Sequence, residues 1–293
     1  MNVNKLMDKS KHWGKFTESL SGVNIEISGH SLFENFSVDL QRDELRERLE
    51  AGGHLFTPEK IDINDNPVSL LFELLLDVFL TYLPERAGSL ENLDNAYRSD
   101  VLFPGQLLRT TLDHSWSELQ NLSRQTSVEI DLLQFFSLYL ARPFRQKAAE
   151  QYMSEVDLNL WKKGACPICG HWPVLGRIFS SDGNRRLWCF CCSTEWKFPR
   201  IGCFFCLNQS QDQLGYITVE TFDLYRIYFC DKCKRYLKFI ESLDQAGQDK
   251  FNYDLAHFEA VQLDQTILSE GYVTEPVWLA PTIMLQTQGD SDG

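Results

Sequence analysis

Four Cys-x-x-Cys pairs, Cys166/Cys169, Cys189/Cys192, Cys203/Cys206 and Cys230/Cys233, fall within 68 residues of a 293-residue chain and constrain its fold more than any other feature. Each pair can form one tight turn offering two sulfurs, and a tetrahedral thiolate site needs four of them at about 2.3 Å from the ion. Spacing decides which turns meet. Nineteen residues separate Cys169 from Cys189 and 23 separate Cys206 from Cys230, whereas only ten, STEWKFPRIG, join Cys192 to Cys203. The two longer intervals read as hairpins, which return the chain to its starting point. HWPVLGRIFS and NRRLWCF flank Asp182-Gly183, a strong turn signal, while QLGYITVE and LYRIYFC flank Thr221-Phe222-Asp223. The pairs therefore combine as two tandem four-cysteine ribbons, Cys166/Cys169/Cys189/Cys192 and Cys203/Cys206/Cys230/Cys233, with crossed pairing of the turns as the alternative. Offsets of 37 and 41 residues between corresponding cysteines mark an internal repeat whose second hairpin is four residues longer.

Metal ligation is the use of cysteine that fits best. The chain has nine cysteines, an odd number, and its start, MNVNKLMDKSKHWGKF, has lysines without the apolar run of a secretory signal. A cytoplasmic location is expected, where disulfides are rare. A thioredoxin-like motif normally occurs once, near a βαβ pattern that is missing here. Thiolates suit iron and zinc alike. Cys191, inside the second pair, reads as a spectator, and His171 as a neighbour of a site already filled by four sulfurs. Trp172, Trp188, Phe190, Trp196, Phe204, Phe205, Tyr228 and Phe229 crowd these positions and read as core that covers the sites.

The net charge of −13 disfavours a protein devoted to nucleic-acid backbones. Residues 161–238 nonetheless carry twelve Lys/Arg against six Asp/Glu, a formal +6 that leaves −19 on the remainder. Lys232, Lys234, Arg235 and Lys238 cluster after the last pair and are a candidate contact for a partner. Two divalent ions on eight thiolates would bring the module to about +2.

Before residue 155 there is no cysteine, and the patterning is helical. Residues 37–53 read as a helix stopped by Gly52 and Gly53, with further helices over 69–82, 105–123, 128–140 and 143–153. Pro143 reads as the first turn of a new helix. The apolar run 67–83 carries Glu73 and Asp77 and is shorter than the ~20 residues of a membrane span, so it reads as a buried helix. Residues 252–268 read as a helix packing back on the body, and the stretch from Tyr272 to Leu285 as extended.

CPICGHWPVLGRI, LWCFCCSTEWKFPRIGCFFC and CDKCKRYLKFIE resemble the double four-cysteine module of the FdhE proteins, accessory factors of formate dehydrogenase. Fainter likenesses reach LRERLEAGGHLF, ARPF and DLAHFEAVQLDQTILSEGY. The resemblance implies a helical domain joined to rubredoxin-like sites with the eight paired cysteines as metal ligands. It also implies a cytoplasmic factor that binds the catalytic subunit of a formate dehydrogenase and supports its maturation. Cys191 lies outside the family pattern.

The expected fold class is thus α+β: a helical domain over 1–155, four-cysteine ribbons over 156–200 and 201–245, and a C-terminal helix and tail over 246–293. Two metal ions, iron or zinc, are the expected cofactors. No nucleophile and base pairing, phosphate loop or His-Glu-x-x-His motif is present, and Glu195 and His114 are lone acid/base residues, so no enzyme is expected. A zinc-ribbon nucleic-acid binder and a rubredoxin-like electron carrier are the competing readings.

Overall fold

A computed structural model describes residues 3–28, 41–58, 65–179, 183–220, 222–242 and 251–274. It divides into two compact units: residues 1–39 with 56–151, and residues 40–55 with 152–293.

The first unit is helical, built from α1 (Val3–Ser28), α3 (Asp65–Tyr82), α4 (Ala87–Arg98), α5 (Pro104–Leu112), α6 (Trp116–Thr126) and most of α7 (Ile130–Glu155). On α3 the apolar residues Val68, Leu71, Phe72, Leu75, Leu76 and Phe79 recur at spacings of three and four, and all are buried. Phe79 meets Phe16 of α1 at 5.7 Å and Phe136 of α7 at 5.0 Å, edge to face, so one aromatic cluster ties three helices together. Among the described residues no single helix is long and apolar enough to cross a membrane.

Two expected helices are redrawn here. The reading over 105–123 is interrupted between α5 and α6, where His114 takes a left-handed φ of 55°. In contrast, Pro143 lies inside α7 and starts no new helix. An internal proline costs ~3 kcal/mol. Burial of Phe136, Leu140, Phe144 and Ala148 along the same helix offsets that cost. α1 and α4 carry no strong sequence signal and were not expected.

The second unit contains α2 (Arg42–Glu50), a six-stranded sheet, α8 (Tyr253–Ala260) and α9 (Asp264–Leu268). The strands are β1 (Leu175–Phe179), β2 (Arg185–Trp188), β3 (Glu195–Phe198), β4 (Leu214–Thr218), β5 (Tyr225–Cys230) and β6 (Arg235–Ser242). Their order is β3-β2-β1-β6-β5-β4. Each repeat is an antiparallel meander of three strands, and the two meanders join where β1 runs parallel to β6, with Gly176 opposite Phe239. A Cβ at Gly176 would lie 2.2 Å from the Phe239 ring, so the seam needs glycine there. α7 ends at Glu155, and residues 40–55 also belong to this unit.

Alternation along the strands gives the sheet two different faces. On one, the C-terminal helices pack: Trp188 stacks on Tyr253 at 5.1 Å, the Tyr225 hydroxyl donates to the Ala256 carbonyl, and Lys238 pairs with Asp264 at 2.6 Å. On the other, Phe239 meets Phe204 at 5.0 Å and Tyr228 at 5.0 Å. Expected structure beyond Thr274, including the rest of the Tyr272–Leu285 stretch, lies outside the described residues.

Candidate metal centres

Each Cys-x-x-Cys pair adopts the same backbone turn. In all four, the residue following the second cysteine donates its N–H to the carbonyl of the first: Gly170 to Cys166, Ser193 to Cys189, Leu207 to Cys203 and Lys234 to Cys230, over 2.8–3.1 Å. Those same residues have φ of 76°, 57°, 57° and 55°. A second bond closes each of the first three turns, from the first cysteine's N–H to the carbonyl five residues on, in His171, Thr194 and Asn208. In the fourth, Cys230 is the register partner of Arg235. The second turn of each repeat therefore doubles as a hairpin turn, linking β2 to β3 and β5 to β6.

The turns bring the sulfurs into two groups, Cys166/Cys169/Cys189/Cys192 and Cys203/Cys206/Cys230/Cys233, within which all ligand atoms lie within 4.8 Å of one another. Crossed pairing is not what the structure shows. In the first group, Cys166 to Cys192 is 3.5 Å, Cys169 to Cys189 3.4 Å and Cys169 to Cys192 3.5 Å. In the second, Cys203 to Cys233 is 3.6 Å and Cys206 to Cys230 3.8 Å. Four sulfurs at the usual distance from a tetrahedral ion stand about 3.8 Å apart, so both groups could hold one with little movement. A disulfide would need about 2.05 Å, and all nine cysteines are free.

Electrostatics favours proton loss at one sulfur per group. Burial raises the Cys192 thiol, but hydrogen bonding to Cys166, Cys169, Cys189 and Thr194 outweighs it and holds Cys192 well below the ordinary range. Hydrogen bonding from Cys203 is the main influence on Cys233 and brings it down to about 5. Burial pushes Cys166, Cys169 and Cys189 up. Four crowded thiols sharing their protons are poised for exchange of those protons for a divalent cation. In the second group the Phe205 and Cys206 N–H groups also point to Cys203 Sγ, at 3.4 and 3.5 Å.

Cys191 and His171 are fully buried and belong to neither group, and the His171 ring nitrogen Nδ1 lies 3.2 Å from the Cys169 carbonyl. Of the eight expected aromatics, Trp188, Phe190, Trp196, Phe204 and Phe205 are buried, and Trp172, Tyr228 and Phe229 are half-buried. Glu195 pairs with Arg186 at 3.3 Å and accepts from the Tyr253 hydroxyl. Lys232, Lys234, Arg235 and Lys238 do not form one patch. Lys238 is buried against Asp264, Lys234 pairs with Asp231, and strand alternation turns Arg235 away from Lys238. Sequence reasoning missed the cationic group that does form, Arg185, Arg200 and Arg235, because its members come from three separate segments.

Comparison with known proteins extends the picture beyond the cysteines. The chain is 25% identical over 247 residues to the FdhE homolog of Aquifex aeolicus, covering 83% of this chain and 80% of that one. It is 26% identical over 256 residues to the FdhE homolog of Haemophilus ducreyi, covering 78% and 81%. The crystal structure of the FdhE protein from Pseudomonas aeruginosa matches over 96% of this chain and 98% of that one, with a TM-score of 0.52 and 19% identity. Over most of its length the chain is similar to FdhE proteins. No family model matches it. FdhE likeness runs through the helical unit as well as the sheet, whereas the shorter match to the FdhE homolog of Edwardsiella ictaluri, 34% identical, spans 32% of this chain and 31% of that one.

Proposed function

We propose that this chain is a member of the FdhE family and a cytoplasmic accessory protein of formate dehydrogenase that binds the catalytic subunit and supports its maturation, and is not itself an enzyme. Its eight paired cysteines hold two metal ions, iron or zinc. The observation that carries the reading is the combination of near full-length likeness to FdhE proteins with two groups of four thiols at tetrahedral spacing. An ion on four thiolates supplies cross-linking: it ties the turn before each hairpin to the turn after it. With the sulfurs so fixed, the meanders present a rigid sheet to a client.

The test is direct. Purified metal-loaded chain is mixed with the formate dehydrogenase catalytic subunit, and complex formation is followed alongside metal content. A stoichiometric complex and two ions per chain are expected. Failure to bind the subunit defeats the accessory reading. Salt-dependent binding to DNA or RNA in its place would promote the nucleic-acid reading, and reversible one-electron cycling without metal loss the electron-carrier reading.

A further inference from the structure

A cavity of about 370 Å³ opens on the sheet face away from the C-terminal helices, bounded at one end by Cys203 and Cys230 of the second centre. Its walls contain three guanidinium groups, Arg185, Arg200 and Arg235, and no carboxylate among the described residues. The Arg185 guanidinium carbon lies 4.4 Å from the centre of the Tyr228 ring. No ion pair of Arg185 or Arg200 with a described carboxylate is present.

Crowding like charges into one half-enclosed space is costly unless an anion joins them. Burial lowers the Arg185 guanidinium from its usual value; Tyr228 opposes that, and the like charge of Arg200 adds to it. A divalent ion on four thiolates would carry −2 at the cavity's end. Beside the cavity, Tyr216 of β4 is 58% exposed, and among the described residues no strand pairs with the outer side of β4. An open strand edge offers main-chain hydrogen bonds to an extended segment, and an adjacent pocket gives that segment its specificity.

We infer that this cavity is the docking site for an extended acidic segment of the client, which lies along β4 and places a carboxylate between Arg185 and Arg200. The inference rests on the accessory reading above and names its contact. Guanidinium forks match carboxylate geometry, and the apolar walls raise the strength of the ion pair by excluding water.

The experiment titrates metal-loaded full-length chain with the formate dehydrogenase catalytic subunit, comparing wild type with Arg200→Glu, Arg185→Gln and, as a charge control, Lys197→Glu. Lys197 is exposed on β3 and lies outside the cavity. At least a roughly tenfold loss of affinity is expected for both arginine variants and none for the lysine variant, with metal content unchanged. Unchanged binding by Arg200→Glu and Arg185→Gln would overturn the inference and leave the accessory reading standing, whereas wild type that does not bind the subunit overturns both. Loss of metal from the arginine variants would make these groups counter-ions of the second centre, and displacement of the client by inorganic phosphate or a short single-stranded oligonucleotide would assign the cavity to another occupant; either result overturns the inference.

Discussion

The two four-cysteine groups share one backbone design but differ in what lies over them. All four cysteines of the first are buried, while Cys206 and Cys233 of the second are part-exposed. The first repeat is covered by the segment before residue 56: the Leu55 N–H donates to the Pro167 carbonyl, Lys163 donates to the Gly52 carbonyl, and the His54 ring lies against Gly170. A Cβ at Gly170 would lie 2.8 Å from His54 Nδ1, and the φ of 76° disfavours any other residue as well. In the second repeat the corresponding position is Leu207, 52% exposed, and the cavity opens alongside. Duplication of a motif thus preserves its turn and not its surroundings, and the surroundings distinguish a closed centre from an accessible one.

Removing a ligand is the harshest test of that difference. Cys166→Ser and Cys203→Ser should each leave one ion per chain, and Cys191→Ser should leave two, by metal analysis. Ligation of a thiolate site is worth on the order of 10 kcal/mol in small zinc domains, so either ligand variant should unfold its own repeat. Because the first centre is buried within the packed unit, Cys166→Ser should also lower the melting temperature of the whole sheet. An equal effect of Cys203→Ser would erase the contrast. In both cases the far-UV helix signal from the first unit should persist.

The repeats are also fastened to the C-terminal helices in different ways, the first by the Trp188–Tyr253 stack and the second by Lys238–Asp264. Lys238 is 5% exposed, so Asp264→Ala strands a buried charge and should destabilise the protein by about 3 kcal/mol in denaturant titration. Asp264→Ala with Lys238→Met should recover most of that loss. If the double variant is no more stable than the single one, the fastening does not depend on the ion pair.

Access should order the loss of metal. A chelator should take the ion from the second centre at least roughly tenfold faster than from the first, since the first must open before it is reached. Ligand variants assign the two phases, and a single phase or the reverse order would show that burial does not control release.

The sulfur pairing was legible because cysteine spacing and hairpin length are local quantities. The turn between β2 and β3 was hidden by brevity: STEWKFPRIG lacks glycine and proline where β3 starts, and Ser193 supplies the left-handed residue that sequence reading normally assigns to glycine. β6 escaped notice because Arg235–Ser242 mixes charged and apolar residues, with Lys238 paired only through Asp264 far along the chain. Pro143 misled because its cost is local while the burial that sustains α7 is tertiary. The parallel seam between β1 and β6 depends on Gly176 and Phe239 meeting, which no local pattern announces.

The smallest expected effect bears on the turns themselves. Ser193, Leu207 and Lys234 hold left-handed φ with a Cβ, at a cost of about 1–2 kcal/mol each for most residue types, where Gly170 pays no such strain. Leu207→Gly removes the strain but adds about 0.5–1 kcal/mol of chain entropy to the unfolded state. Since Leu207 is largely exposed, little packing is lost, and a net gain of about 0.5 kcal/mol should remain in the stability of the second repeat. Gly170→Ala at the matching position should do the reverse and by more, because the new methyl also meets His54. Metal-dependent unfolding midpoints of the two variants measure this directly. Should Leu207→Gly destabilise the protein, the leucine contributes packing that outweighs its strain, and the second centre is better covered than its exposed cysteines imply.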